Sequence, residues 1–209
     1  MNNRQLIKLL EEINKELHEN KEYLNQLDAA IGDGDHGTNV VRGFEAIQEE
    51  INKGNFDDLT PKQTLKDVAM ILMSKIGGSS GPLFGTLALQ MSNGLDDTER
   101  TYLDQWIKAI QSGIDGVQVL GKAQLGDKTM VDVLIPSLET LEKNINDPHK
   151  AIKEAEVTAK KAMEDTKDLE AKKGRAAYLG KRSIGHIDPG SVTIYLLWKS
   201  INQVEISCH

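Results

Sequence analysis

The sequence predicts an all-α fold, an eight-helix antiparallel barrel or bundle. Three observations predict it. Apolar residues recur at helical spacing almost throughout the 209 residues, and no convincing period-two stretch interrupts them. Aromatics make up only 4%, so the core must be built from Leu, Ile, Val, Ala and Met, a mixture that suits helices better than a β-sandwich. Glycine-rich loops fall at alternate helix junctions. Short connections favour antiparallel neighbours, so those loops should meet at one rim and bring the polar chemistry with them.

The first helix carries Leu6, Leu9, Leu10, Ile13, Leu17, Leu24 and Leu27, and the loop IGDGDHGTN ends it. The second carries Val40, Phe44, Ile47 and Ile51 at steps of four, three and four. The third opens at Thr60-Pro61, a cap followed by proline at the first helical position, and stops at Gly77-Gly78. After the loop GGSSG the fourth starts at Pro82, with Leu83, Leu87 and Met91 inward. The fifth opens near Asp97 and carries Leu103, Trp106, Ile110, Ile114 and Val117. The loop GKAQLGDKT leads into a sixth with Val131, Leu134, Leu138 and Leu141. Asp147-Pro148 begins a seventh, whose Ala151, Ala155, Ala159 and Ala162 permit close packing. The loop GRAAYLGKRSIGHIDPG precedes the eighth, with Val192, Tyr195, Leu196 and Trp198. No linker, repeat or low-complexity stretch divides the chain, so residues 1–209 read as one domain.

The formal charge of -7, with no basic stripe, argues against nucleic-acid binding. A phosphate ligand would have to be held by backbone N–H groups, local cations or a metal. The start of the chain is amphipathic and lacks an apolar leader, and no apolar run approaches the roughly 20 residues that cross a membrane. A cytoplasmic protein is expected. Cys208 is the only cysteine, which excludes an internal disulfide and reads as an exposed thiol in a reducing compartment.

Chemistry concentrates in the loops. Asp28, Asp33 and Asp35 fall within eight residues, and Gly32, Gly34 and Gly37 let the backbone fold back so that the three converge. Like charges at one point repel, and a hard cation with oxygen ligands, Mg²⁺ or Ca²⁺, would resolve the repulsion. The loop is not an EF-hand: positions five and twelve from Asp33 hold Gly37 and Phe44 in place of an oxygen ligand and Glu. Ser79 and Ser80 sit at a helix N-terminus, where free N–H groups and the dipole favour an anion. Gly116-Val-Gln-Val-Leu-Gly121-Lys122-Ala123 nearly matches a phosphate-binding P-loop. It ends in Ala, lacks a preceding strand and continues a helix, so that reading fails. Asp127 suits an N-cap or a supporting acid, and Lys128 could balance phosphate charge. Arg175 is a plausible phosphate or base contact. His186 and Asp188 stand at a helix start. His18 and His149 read as solvated, and His209 is terminal.

Together LDAAIGDGDHGTN, GGSSGPLFGT, GKAQLGDKTMVDVLIP and GRAAYLGKRSIGHIDPGS, in that order, resemble the nucleotide-binding L subunit of dihydroxyacetone kinases over nearly the whole chain. The resemblance implies an eight-helix antiparallel barrel with ADP or ATP at one rim. It places two Mg²⁺ ions on Asp28, Asp33 and Asp35. It places the nucleotide on His36, Gly37, Thr38, Asn39, Ser79, Ser80, Gly121, Met130, Arg175, Asp188, Pro189 and Gly190. Some relatives use free ATP and carry this domain behind a substrate-binding one. Others are stand-alone subunits that keep the nucleotide tightly bound as a coenzyme. There a phospho-histidine on an M subunit of the phosphotransferase system rephosphorylates ADP, and the γ-phosphoryl passes to dihydroxyacetone on a K subunit. This chain, holding the nucleotide domain alone, looks like the second kind. A homodimer is compatible with it, and no general base is assigned. Competing readings are a nucleotide-state sensor that signals to a transcription factor and a nucleotide domain serving another acceptor such as a fatty acid.

Overall fold

The structure, a computed structural model, describes residues 1–204. Cys208 and His209 lie outside the described residues. Nine α-helices are present among them: α1 Asn3–Glu19, α2 Lys21–Ile31, α3 His36–Asn52, α4 Pro61–Lys75, α5 Ser80–Gly94, α6 Leu103–Gly121, α7 Val131–Lys143, α8 Pro148–Asp165 and α9 Pro189–Gln203. Two 3₁₀ segments, Thr166–Asp168 and Arg175–Ser183, lie between α8 and α9. No strand occurs among the described residues; the only extended pairing is an isolated bridge between Asn2 and Arg100. Among the described residues no helix is long and apolar enough to cross a membrane.

Eight of the helices close a ring. From α3 to α9 each packs on its predecessor, α9 packs on α1, and α1 packs on α3. The interior is apolar, with Leu9, Phe44, Leu72, Phe84, Trp106, Leu141 and Trp198 facing a cavity along the axis. The all-helical ring agrees with the sequence reading. The alanine stripe of α8 is buried at Ala151, Ala155 and Ala159 and seats α8 between α7 and α9.

Helix α5 starts at Ser80, two residues before the expected Pro82, and two larger differences from the sequence reading stand beside it. The first predicted helix is two. Asn20 leaves helical geometry (φ -103°, ψ 6°) and closes the end of α1, its side-chain amide donating to the Glu16 carbonyl at 2.8 Å. Periodicity could not reveal this, because α2 keeps Leu24 and Leu27 on the same inward face. The second difference is the start of α6 at Leu103 rather than near Asp97. Asp97 accepts from the Thr60 and Gln63 side chains, and Asp96 from the Gln105 side chain, so both acids pair with side chains instead of starting a helix. By contrast, Thr60 and Asp147 cap α4 and α8 as expected, each accepting from the backbone N–H three residues on.

Candidate functional site

The four glycine-rich loops do meet at one rim. They enclose a cleft with two contiguous lobes. The polar lobe is lined by Asp28, Asp33, Asp35, His36, Asn39, Ser79, Ser80, Lys173, Arg175, Asp188, Pro189 and Gly190, among others. The apolar lobe is lined by Pro82, Leu83, Val117, Leu120, Gly121, Ala123 and Val131. Ser79, Leu83, Thr129, Met130, Lys173 and Gly174 border both.

Asp28 organises the first loop. It stands in the last turn of α2, and its Oδ2 accepts the backbone N–H of Asp35 at 2.9 Å and of His36 at 3.2 Å. These bonds fold the loop back over the helix end and leave Oδ1 for another partner. One carboxylate oxygen each from Asp28, Asp33 and Asp35 lie within 4.8 Å of one another. At that spacing each pair of charges repels by about 1–3 kcal/mol, depending on local screening. Arg175 offsets part of this, its Nη2 lying 3.0 Å from Asp33 Oδ2. The donor set consists of carboxylate oxygens, half-buried at Asp28 and exposed at the other two. It fits a hard divalent cation and offers no soft ligand.

His36 begins α3 and is buried. Its Nε2 lies 2.8 Å from Thr193 Oγ1, and its Nδ1 3.4 Å from Ser80 Oγ. The ring therefore joins α3, α5 and α9 beneath the cleft. Asn39 accepts from Arg42, whose Nε donates to the Lys75 carbonyl, and so braces the entry to GGSSG. Gly37 and Thr38 line neither lobe. A Cβ at Gly37 would meet the Lys21 carbonyl, so glycine there lets α3 approach α2. Thr38 hydrogen-bonds with Asn25, through its amide at 3.0 Å and its hydroxyl at 3.1 Å.

In the third loop Asp132 accepts from Gly126 at 2.6 Å and from Thr129 at 2.7 Å, which curls GDKT over the start of α7. Asp127 is buried and draws in Lys172 and Lys173 at 3.5 and 3.7 Å. Lys128 differs from its sequence reading. It borders the polar lobe, yet its ammonium donates to three backbone carbonyls and not toward the cleft. The cations nearer the mouth are Arg175 and Lys173; Lys173 was not singled out from the sequence. Of the apolar lobe, the resemblance supplies Gly121 and Met130, whereas Val117 and Leu120 read only as helix periodicity. Asp188 caps α9, accepting from Ser191 at 2.7 Å, with Pro189 at the first helical position.

Among the groups lining the cleft, His36 and Asp188 titrate far from their ordinary values. Burial lowers His36 from 6.5 to about 4, against the pull of Asp28 and Asp35. Burial raises Asp188 from 3.8 to about 6; bonds from Ser191 resist this, Asp132 adds to it and Lys128 opposes it. The Asp188 carboxyl is enclosed although the residue keeps some exposed surface. The two effects have opposite signs. Native His36 resists protonation, so it costs stability as pH falls from 6.5 towards 4. Native Asp188 favours its proton, so it costs stability as pH rises from 3.8 towards 6. Each amounts to about 3 kcal/mol at full extent. The two should largely cancel in chelator-treated protein. Asp188→Asn removes one limb. Relative to wild type, this variant should gain stability as pH rises from about 4 to about 6. Melting curves of both proteins across that range check this, and parallel curves would contradict it.

The DAK2 domain family matches residues 30–203. The chain belongs to this family. Among DAK2-domain relatives it is 40% identical, over 202 residues, to the ADP-binding subunit DhaL of PEP-dependent dihydroxyacetone kinase 1 from Listeria innocua, covering 96% of each chain. It is 40% identical over 184 residues to the corresponding Escherichia coli subunit, covering 86% of each. These relatives are subunits of phosphoryl-transferring kinases. The crystal structure of the dihydroxyacetone kinase from C. freundii in complex with AMP-PNP and Mg²⁺ shares the fold, with a TM-score of 0.75 at 23% identity over 95% of this chain and 33% of that one.

Proposed function

We propose that the chain, as one domain, is the nucleotide-binding subunit of a dihydroxyacetone kinase, carrying ADP/ATP with two Mg²⁺ ions. The observation that carries this reading is the convergence of Asp28, Asp33 and Asp35 at the polar end of a cleft whose other end is apolar. A nucleotide has the same polarity along its length. The carboxylates would hold the metal, and the start of α5 at Ser79 and Ser80 would present N–H groups to phosphate oxygens. Leu83, Val117, Leu120 and Met130 would cover the base. Bound Mg²⁺ would offset phosphate charge and hold a terminal phosphoryl group for in-line transfer. Relatives 40% identical over nearly their whole length carry ADP in their names, which supports the same ligand here.

On this reading the γ-phosphoryl passes to dihydroxyacetone on a K subunit, and a phospho-histidine on an M subunit of the phosphotransferase system restores it. The nucleotide stays bound through the cycle, in the cytoplasm. His36 is buried and already paired with Thr193 and Ser80, and the Asp188 carboxylate is engaged in capping α9, so neither is assigned as the base and activation of the acceptor falls to the K subunit. Native mass spectrometry of the protein as isolated tests the reading. The expected species carries one ADP and two magnesium ions. A bare chain whose melting temperature does not rise with added Mg²⁺ and ADP would overturn it, since a ligand at a hundred times its Kd stabilises by about 2.7 kcal/mol.

A further inference from the structure

Lys128 is the largest of the fully buried side chains in the described structure, 2% exposed, and its backbone holds the left-handed conformation at φ 61°. A non-glycine residue adopts that geometry at a cost and keeps it only where its surroundings require it. Its Nζ donates to the carbonyls of Thr166 at 2.7 Å, Leu169 at 3.1 Å and His186 at 2.5 Å. An ammonium has three donors, so none is left for a ligand. The three acceptors flank one segment. Thr166 and Leu169 stand where the chain leaves α8, and His186 stands where it returns to α9. Residues 170–185 thus form a loop with its two ends drawn together, and Lys128 sits at the neck. Other bonds close the same neck: the Gly185 N–H donates to the Lys167 carbonyl at 2.8 Å, and the Asp188 N–H to Thr166 Oγ1 at 3.1 Å. Within the loop, the Ser183 hydroxyl accepts from the Ala171 N–H and donates to the Gly180 carbonyl.

Beyond its neck the loop is also tied to Asp127, whose carbonyl accepts from the Lys172 N–H at 3.1 Å and whose carboxylate meets Lys172 and Lys173 at 3.5 and 3.7 Å, while its 3₁₀ segment packs mainly on α2. Tyr178 at its tip is 90% exposed. Yet it carries Arg175 to within 3.0 Å of Asp33. We propose that Lys128 is a positioning residue: by gathering the carbonyls of Thr166, Leu169 and His186 it fixes the neck of the 170–185 loop, and through it the placement of Arg175 over the phosphate end of the cleft. The lysine of GDKT thereby serves the site without touching the ligand. This rests on the nucleotide reading above for what Arg175 meets.

A double-mutant cycle between Lys128→Met and Arg175→Ala tests it, read by Mg²⁺·ADP affinity and by hydrogen exchange. Lys128→Met keeps the unbranched stem and removes the donors. It should raise amide exchange in 170–185 by about a hundredfold while exchange in α3–α5 stays unchanged. Each single variant should weaken ADP binding about tenfold, and the double variant by about the same factor, because Lys128 acts through Arg175. A merely structural lysine would lower affinity independently, and the factors would multiply to about a hundredfold. That outcome, or unchanged exchange in the loop, overturns the proposal. Should Lys128→Met not fold, Ser183→Ala loosens the same loop from within. It should give the same local exchange and the same non-additivity with Arg175→Ala, and additive factors overturn the proposal equally. If Arg175→Ala alone leaves affinity unchanged, the role given to Arg175 fails, and Lys128 is then judged on the exchange result alone.

Discussion

Replacing Asp33 by alanine should strip the protein of nucleotide while leaving its helices intact. Asp33 lies in the loop between α2 and α3 with its side chain 39% exposed, and its ionic partner is Arg175. Removing it leaves no buried group unpaired, so the melting temperature of the metal-free protein should stay within a few degrees of wild type. The effect on the ligand is of another order. Changes to residues that merely orient metal ligands cost about ten- to a hundredfold in affinity, and loss of a ligand itself should reach or exceed the upper end. Arg175 would remain but cannot replace the ion, because a single monovalent cation does not offset a diphosphate together with Asp28 and Asp35. Isothermal titration with ADP at fixed Mg²⁺ gives the measurement. Wild-type affinity in the variant would mean that the acids are not ligands. Asp33→Asn sharpens the test: it keeps an oxygen in place and removes the charge, so affinity should fall between the two.

The ring of helices was legible because each helix carries one apolar stripe and most ends carry a chemical stop. Thr60-Pro61 and Asp147-Pro148 mark true helix starts, and both side chains cap as their types dictate. The convergence of four loops followed from counting junctions, with no knowledge of any contact. The break at Asn20 was not legible, since an inward face continues across it. Nor was the start of α6 at Leu103, where the Tyr102 N–H donates to the Gln105 side chain, Asp97 pairs with Thr60 beside α4, and the Asp96 carboxylate accepts from the Gln105 side chain. The acidic triad was readable because its members are close in sequence. Most of the apolar lobe was not, since its lining is gathered from α5, α6, the start of α7 and the adjoining loops, and Leu83, Val117 and Val131 also satisfy their own helices' periodicity. Lys128 shows the same limit in sharper form: a lysine beside a phosphate site reads as a phosphate ligand until the three carbonyls around it are seen.

Gly32→Ala should abolish nucleotide retention to nearly the same degree as loss of a metal ligand, although glycine contributes no ligand atom. Gly32 follows α2 directly, and its N–H donates to the Asp28 carbonyl at 2.5 Å. A Cβ there would fall well within 3.0 Å of Asp28 Oδ1, the oxygen not committed to the loop amides. The new methyl and the carboxylate cannot both keep their places. Rotating Asp28 away is the cheapest adjustment, and it removes two things together. The Asp35 and His36 amides lose their acceptor, which costs about 1–3 kcal/mol of stability where water cannot replace it. The triad also loses the member that fixes the other two relative to the helix end. The expected result is unchanged helical circular dichroism, a melting temperature lower by several degrees, and a fall in Mg²⁺-dependent ADP affinity of about a hundredfold. Gly54→Ala supplies the control. That glycine, at φ 74° in the turn after α3, lines neither lobe of the cleft. Its substitution should lower the melting temperature through backbone strain alone and leave affinity unchanged. If Gly32→Ala behaves like Gly54→Ala, Asp28 can move without consequence, and the carboxylate that organises the first loop is not one that holds the ion.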